Sequence, residues 1–289
     1  MARPARLAAL FTLPLLGLGS LLGTHPAAPV LPDCPGATAP PTHAPESGPP
    51  ATTRPGTACR ALPTAVRDGA PSTPATTPRT EETTGYRHLG AVTDDEYAAV
   101  SGGLTVRDPG VRAGTHDFLA TRFLARGDVG GSTKWLETGW SENGWRDRDQ
   151  HVYTYDTTTM KWSFYDQYEL RPGDRIYLAI QSGAAAQGGT TWNAWLWWND
   201  RWNLLAAPVL PFGAVTQMEQ YVEVYVDPSH AGSYPVPAVD LDDVTVQAKP
   251  GDGFTPWRDP GVPTTESARY DGYCVDWRTR WSDWSAGSC

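Results

Sequence analysis

Two stretches set carboxyl groups among aromatic side chains. One is Trp135-Leu-Glu137-Thr-Gly139-Trp140 and the other is Glu219-Gln-Tyr-Val-Glu223-Val-Tyr225. Carboxyls brought face to face across a sheet cannot both ionise cheaply, so such a pair shares a proton over an acidic range. One member can then activate a water while the other protonates a leaving group. Composition alone favours Glu137 and Glu219 as ordinary strand residues facing solvent. Other chemistry finds little support, since there is no GxSxG elbow, HExxH, phosphate-binding glycine loop or CxxC. The folded region offers His88, His116, His151 and His230 as bases, none beside a suggestive serine motif, and His151 reads as a surface residue at the start of a strand.

The elements that must position these carboxyls are short and regularly spaced. Apolar or aromatic runs recur between Gly, Pro, Asp and Asn: 103–106, 117–124, 134–140, 151–155, 161–165, 175–180, 191–198, 202–206, 220–226 and 241–248. This spacing predicts an all-β fold, a two-sheet antiparallel sandwich of the jelly-roll, lectin-like kind, with at most one helical turn at 94–100. Crossover helices for a parallel sheet have no room. Period-two alternation puts Val222, Val224 and Val226 on one face and Glu219, Tyr221, Glu223 and Tyr225 on the other; Trp135 shares its face with Glu137.

The formal charge of −9 leaves no basic footprint for nucleic acid or an anionic membrane. Met1 to Arg6 is basic and Leu7 to Leu22 is an apolar run too short for a comfortable span, so residues 1–28 read as a secretory signal peptide, giving a secreted protein with no span in its mature form. Residues 29–85 are rich in Pro, Thr, Ala and Ser and read as a disordered linker or pro-segment. Residues 86–289 are then the sandwich domain, expected as a monomer, ending in an irregular tail. In an exported chain the four cysteines suggest two sequence-local disulfides, Cys34 with Cys59 and Cys274 with Cys289. Their spacing matches no common zinc pattern, and neither a metal nor an organic cofactor is implied.

The run TTWNAWLWWNDRWN crowds Trp192, Trp195, Trp197, Trp198 and Trp202 into one hairpin. Exposed tryptophans stack on sugar faces, so a non-catalytic module that binds polysaccharide or cell-wall material through Trp195 and Trp197 is the rival expectation. These rings fall on both faces of the strand, so some of them must fill the sandwich.

In order along the chain, WLETGW, the aromatic pair ending Trp162-Ser-Phe-Tyr165, Pro172-Gly-Asp174-Arg-Ile176 and Glu219-Gln-Tyr-Val-Glu223 resemble the core of the eqolisin-type glutamic peptidases. About a third of the chain is covered. The resemblance implies a lectin-like sandwich with a cleft and an acid endopeptidase acting on polypeptide. Glu137 stands where that family has its glutamine, and Glu219 where it has its glutamate. A glutamate pair is instead similar to the neprosin-type peptidases. Gln220 and Tyr221 stand where the family has Trp and Ile. On this resemblance Glu219 is the base to water and Glu137 the proton donor and oxyanion partner. Trp135, Trp140, Tyr221, Glu223 and Tyr225 are then expected to shape the substrate cleft.

Overall fold

A computed structural model describes residues 59–68, 85–267, 270 and 272–289. Among these residues there is no helix, and the strands form two sheets of an all-β sandwich. Numbered in chain order, the eight-stranded sheet runs β16 (Thr264–Glu266), β3 (Tyr86–Thr93), β13 (Gln217–Tyr225), β5 (Phe118–Val129), β6 (Ser132–Asn143), β7 (His151–Asp156), β8 (Lys161–Phe164) and β2 (Ala65–Asp68). The ten-stranded sheet runs β1 (Cys59–Arg60), β11 (Arg201–Ala206), β10 (Gly189–Trp198), β9 (Arg175–Ala186), β4 (Ala99–Thr105), β14 (Val239–Gln247), β18 (Asp283–Ser288) and β17 (Tyr273–Thr279). Two short strands, β12 (Val209–Leu210) and β15 (Phe254–Pro256), join it beside β10 and β14. Every ladder is antiparallel except that of β1 with β11.

The register of the central hairpin is fixed by its turn. Val129 pairs with Ser132 across Gly130 and Gly131, whose φ angles of 59° and 78° lie in the left-handed region that glycine adopts freely. This two-residue turn matches the right-handed twist of its strands and leaves no slack in the pairing. Leu124 is therefore set opposite Glu137, and Arg122 opposite Gly139.

Alternation then separates two faces. Phe123 points between the sheets, where its ring reaches the backbone of Gly102 on β4. Gln220 also points between the sheets, accepting a hydrogen bond at 2.7 Å from Nε1 of Trp284. Leu89, Ala91, Leu119, Ala125, Leu136, Trp140, Val222 and Val224 share this parity and are fully buried. Arg122, Glu137, Glu219 and Glu223 have the opposite parity and occupy the other face of the sheet.

Several sequence expectations require correction. Residues 94–98 are bends and a single bridge leading into β4, with no helical turn, because Tyr97 pairs with Thr216 instead. Tyr86–Thr93 was not among the expected strands; Arg87 and His88 break its apolar pattern, yet it pairs along β13. The C-terminal tail is not irregular, since β17 and β18 form a hairpin joined to β14. Within the expected linker, residues 59–60 and 65–68 are strands at the edges of the two sheets, where unpaired backbone groups of β11 and β8 supply partners that composition does not reveal. The Cys274–Cys289 disulfide is present. The signal peptide, the rest of the linker and the expected Cys34–Cys59 pairing lie outside the described residues.

Candidate active site

Five strands carry one cluster of charge. On β13, Glu219, Tyr221 and Glu223 project from the face turned away from the other sheet, opposite Leu124, Arg122 and Ala120 of β5. On the far side of β5, Glu137 lies level with Leu124 and Gly139 level with Arg122. Beyond these, β7 sets Tyr155 opposite Glu137 and Tyr153 opposite Gly139, and β3 sets His88 opposite Glu223. Glu137 and Glu219 thus stand at one height on strands separated only by β5, about 10 Å apart at the backbone from the spacing of two strand steps.

Arg122 fills the space between the carboxyls. Its Nη1 donates to Glu223 Oε2 at 2.7 Å and to Glu137 Oε2 at 3.1 Å, and its Nη2 lies 3.6 Å from Glu219 Oε2. Arg126, four residues along the same strand face, donates to Glu219 Oε1 at 2.7 Å. His88 Nε2 lies 3.2 Å from Glu223 Oε1. The side chains of Arg122, His88 and all three glutamates are fully buried, while Arg126, at 19% exposed, is the rim that meets solvent.

These placements follow from charge. Three buried carboxylates side by side would be prohibitive without a cation. The guanidinium of Arg122 offers donors in a fixed planar fork and can serve several oxygens at once. Burial opposes its charge, but the carboxylates of Glu223, Glu137 and Glu219 outweigh burial and raise its pKa above the ordinary arginine value. The carboxylates and guanidiniums of the cluster sum to −3 + 2 = −1.

Within this arrangement Glu219 has the form of a base. Arg126 fixes Oε1, and Oε2 makes no hydrogen bond to any described residue. Tyr153 stands beside Glu137, fully buried, and burial first and the Glu137 charge next raise its pKa far above that of a free phenol. Its hydroxyl therefore keeps its proton and faces Glu137. Among the described residues no group of three or more His, Cys, Asp or Glu side chains is arranged to hold a metal ion.

The other expected site residues divide by parity and burial. Trp135 and Tyr225 lie on the carboxyl face, as does Tyr221, whose ring centre is 5.8 Å from the Arg122 guanidinium carbon. Trp140 does not line that face; one residue past Gly139, it points the other way and is buried among the inter-sheet residues. Trp195 and Trp197 are not a surface platform: Trp195 is fully buried in a cluster with Tyr177, Ala179, Trp202 and Leu204, and Trp197 packs half-buried against it. His151 is not a free surface residue either, because Asp147 and Asp166 hold its two ring nitrogens at 2.8 and 2.9 Å.

Arg122, Arg126 and Tyr153 were missed from the sequence, and His88 was named only among the possible bases for a serine. A signal existed for the arginines: in Phe118–Val129 they recur four residues apart on one strand face, amid an apolar run. No comparable signal marked His88 or Tyr153, whose relevance depends on strand order.

No family model and no curated protein matches the sequence. Among solved structures, the chain is similar to Scytalido-glutamic peptidase bound to a peptide-based transition-state analog, at 14% identity and a TM-score of 0.47, covering 71% of this chain and 98% of that one. A second similarity is to SCP-B, a member of the eqolisin family of peptidases, at 14% identity and a TM-score of 0.40, with the same coverage. Alginate lyase Aly36B also matches, at 9% identity and a TM-score of 0.33, over 56% of this chain and 79% of that one.

Proposed function

We propose that this protein is a secreted acid hydrolase of the glutamic-peptidase type, cleaving polypeptide with Glu219 and Glu137. The observation that carries the reading is the pairing of Glu219, anchored at Oε1 by Arg126, with Glu137 on one sheet face, both in contact with Arg122. Glu219 Oε2 takes a proton from water as the water oxygen bonds to the scissile carbonyl carbon. The carbonyl electron pair moves to its oxygen. Protonated Glu137 then gives its proton to the amide nitrogen, the C–N bond breaks, and acid and amine leave. The proton gained by Glu219 returns to Glu137, restoring the starting state. Water is the only co-reactant.

Arg122, in contact with all three carboxylates, links Glu219 to Glu137 and so suits this exchange. The export reading of the first residues and the polypeptide specificity belong to this same proposal. The test is digestion of an acid-denatured protein between pH 3 and pH 7, with enzyme taken directly and after incubation in acid. Wild-type protein is expected to cleave at the acid end, and Glu219→Gln to lose at least 1000-fold, on the order of the loss when a required acid or base is removed. Wild-type-like cleavage by Glu219→Gln, or no cleavage by wild type, overturns the reading.

A further inference from the structure

The carboxyl face lacks one part that hydrolysis of an amide demands. When water attacks, negative charge develops on the carbonyl oxygen and requires a hydrogen-bond donor aimed at it. Glu137 carries a single proton, and that proton goes to the amide nitrogen, so the oxygen needs a further donor that keeps its hydrogen. Arg122 has its Nη atoms committed to the three glutamates.

Tyr153 meets the requirement. It sits on β7 opposite Gly139 and one pleat from the position that faces Glu137. Gly139 has no side chain to stand between the phenol and the cluster, and a Cβ there would lie 1.5 Å from the carbonyl oxygen of Thr121. The ring is anchored by Trp162, with centroids 4.7 Å apart, and is fully buried. Its hydroxyl faces Glu137, the side chain it interacts with, without reaching a hydrogen bond of full geometry. A buried hydroxyl left short of a full hydrogen bond costs about 1–3 kcal/mol, which phenylalanine in the same place would not incur. Tyr168 has an unpartnered hydroxyl, but it lies outside the carboxyl face, where the nearest charge acting on it is Arg201.

We propose that Tyr153 is a catalytic residue, its Oη–H donating to the oxygen that becomes negative as the tetrahedral intermediate forms. This rests on the hydrolase reading and extends it to the one group that the chain supplies in place of a neutral amide. The hydroxyl keeps its proton throughout, so no proton balance changes.

The decisive variant is Tyr153→Phe, because stability and activity move in opposite directions. Thermal unfolding should be unchanged or slightly raised, while kcat on a peptide substrate falls about 100- to 1000-fold with KM nearly constant. Affinity for a peptide carrying a phosphinate in place of the scissile amide should fall by a similar factor, and affinity for the plain product peptide should not. Wild-type kcat in Y153F, in a preparation where Glu219→Gln is inactive, overturns the assignment and leaves the hydrolase reading standing. A fall in Tm of more than about 5 °C, several times the cost of losing one weak contact, would make the role structural and also overturn it. Failure of wild type to hydrolyse peptide at all would instead sink the reading on which the assignment rests.

Discussion

Replacing Arg122 with methionine keeps most of the side-chain length and removes the cation that touches all three glutamates. The cluster charge then goes from −1 to −3 + 1 = −2, since only Arg126 remains. All the groups that lose their partner are fully buried, so solvent cannot screen the change. Removing one partner of a buried ion pair costs about 3–5 kcal/mol, and here three contacts at 2.7, 3.1 and 3.6 Å are lost together. At pH 7 the loss should therefore reach at least that range, a large part of the 5–15 kcal/mol that typically holds a domain. With a urea slope of about 2 kcal/mol/M, the unfolding midpoint falls by roughly 2 M. The pH dependence has a definite sign. In the variant the folded cluster binds protons more tightly than the unfolded chain, so stability drops as pH rises and recovers as pH falls. Titration of Arg122 itself plays no part in this window: its raised pKa keeps it charged, and its own charge is lost only above the ordinary arginine value. Urea unfolding of both proteins at pH 7 and pH 4.5 should show the deficit shrinking in acid. A deficit under about 1 kcal/mol at pH 7, or one that does not shrink in acid, would refute the account of Arg122 as the cation holding this cluster together.

Three further outcomes can be stated. Gly139→Ala brings a Cβ against the backbone oxygen of Thr121, which cannot swing away, and should cost about 3 kcal/mol or more by thermal melting, the upper range for overpacking. Removing the Cys274–Cys289 disulfide by a double Ser substitution frees a loop of 15 residues and should cost about 3 kcal/mol, read as a lower Tm without change in the sandwich spectrum. Burial raises the pKa of Tyr86, Tyr153, Tyr155, Tyr165 and Tyr234, and lifts Tyr168 and Tyr177 to about 12. The folded state then holds these protons longer than the unfolded chain, so stability is full below pH 10 and falls as pH rises beyond it; tyrosinate absorbance at 295 nm should appear together with unfolding, and smooth titration of the folded protein would contradict this.

The sequence by itself determined the fold class, because short apolar runs between turn residues admit no crossover helices. It also determined which residues share a strand face: Glu219, Tyr221, Glu223 and Tyr225 on β13, and Trp135 with Glu137 on β6, follow from a backbone period of two that does not depend on context. The turn at Gly130–Gly131 fixed the pairing of β5 with β6 locally. Only the tertiary structure decided which strands are neighbours, because pairing between segments a hundred residues apart is chosen by the whole packed sandwich. That choice puts β13 against β5 and so brings Glu219 and Glu223 to Arg122 and Glu137, and it buries Trp195, which composition alone would leave on the surface. Burial decided the chemistry as well: the same glutamates exposed to water would need no central arginine, and a tyrosine hydroxyl beside them would have bonded to solvent.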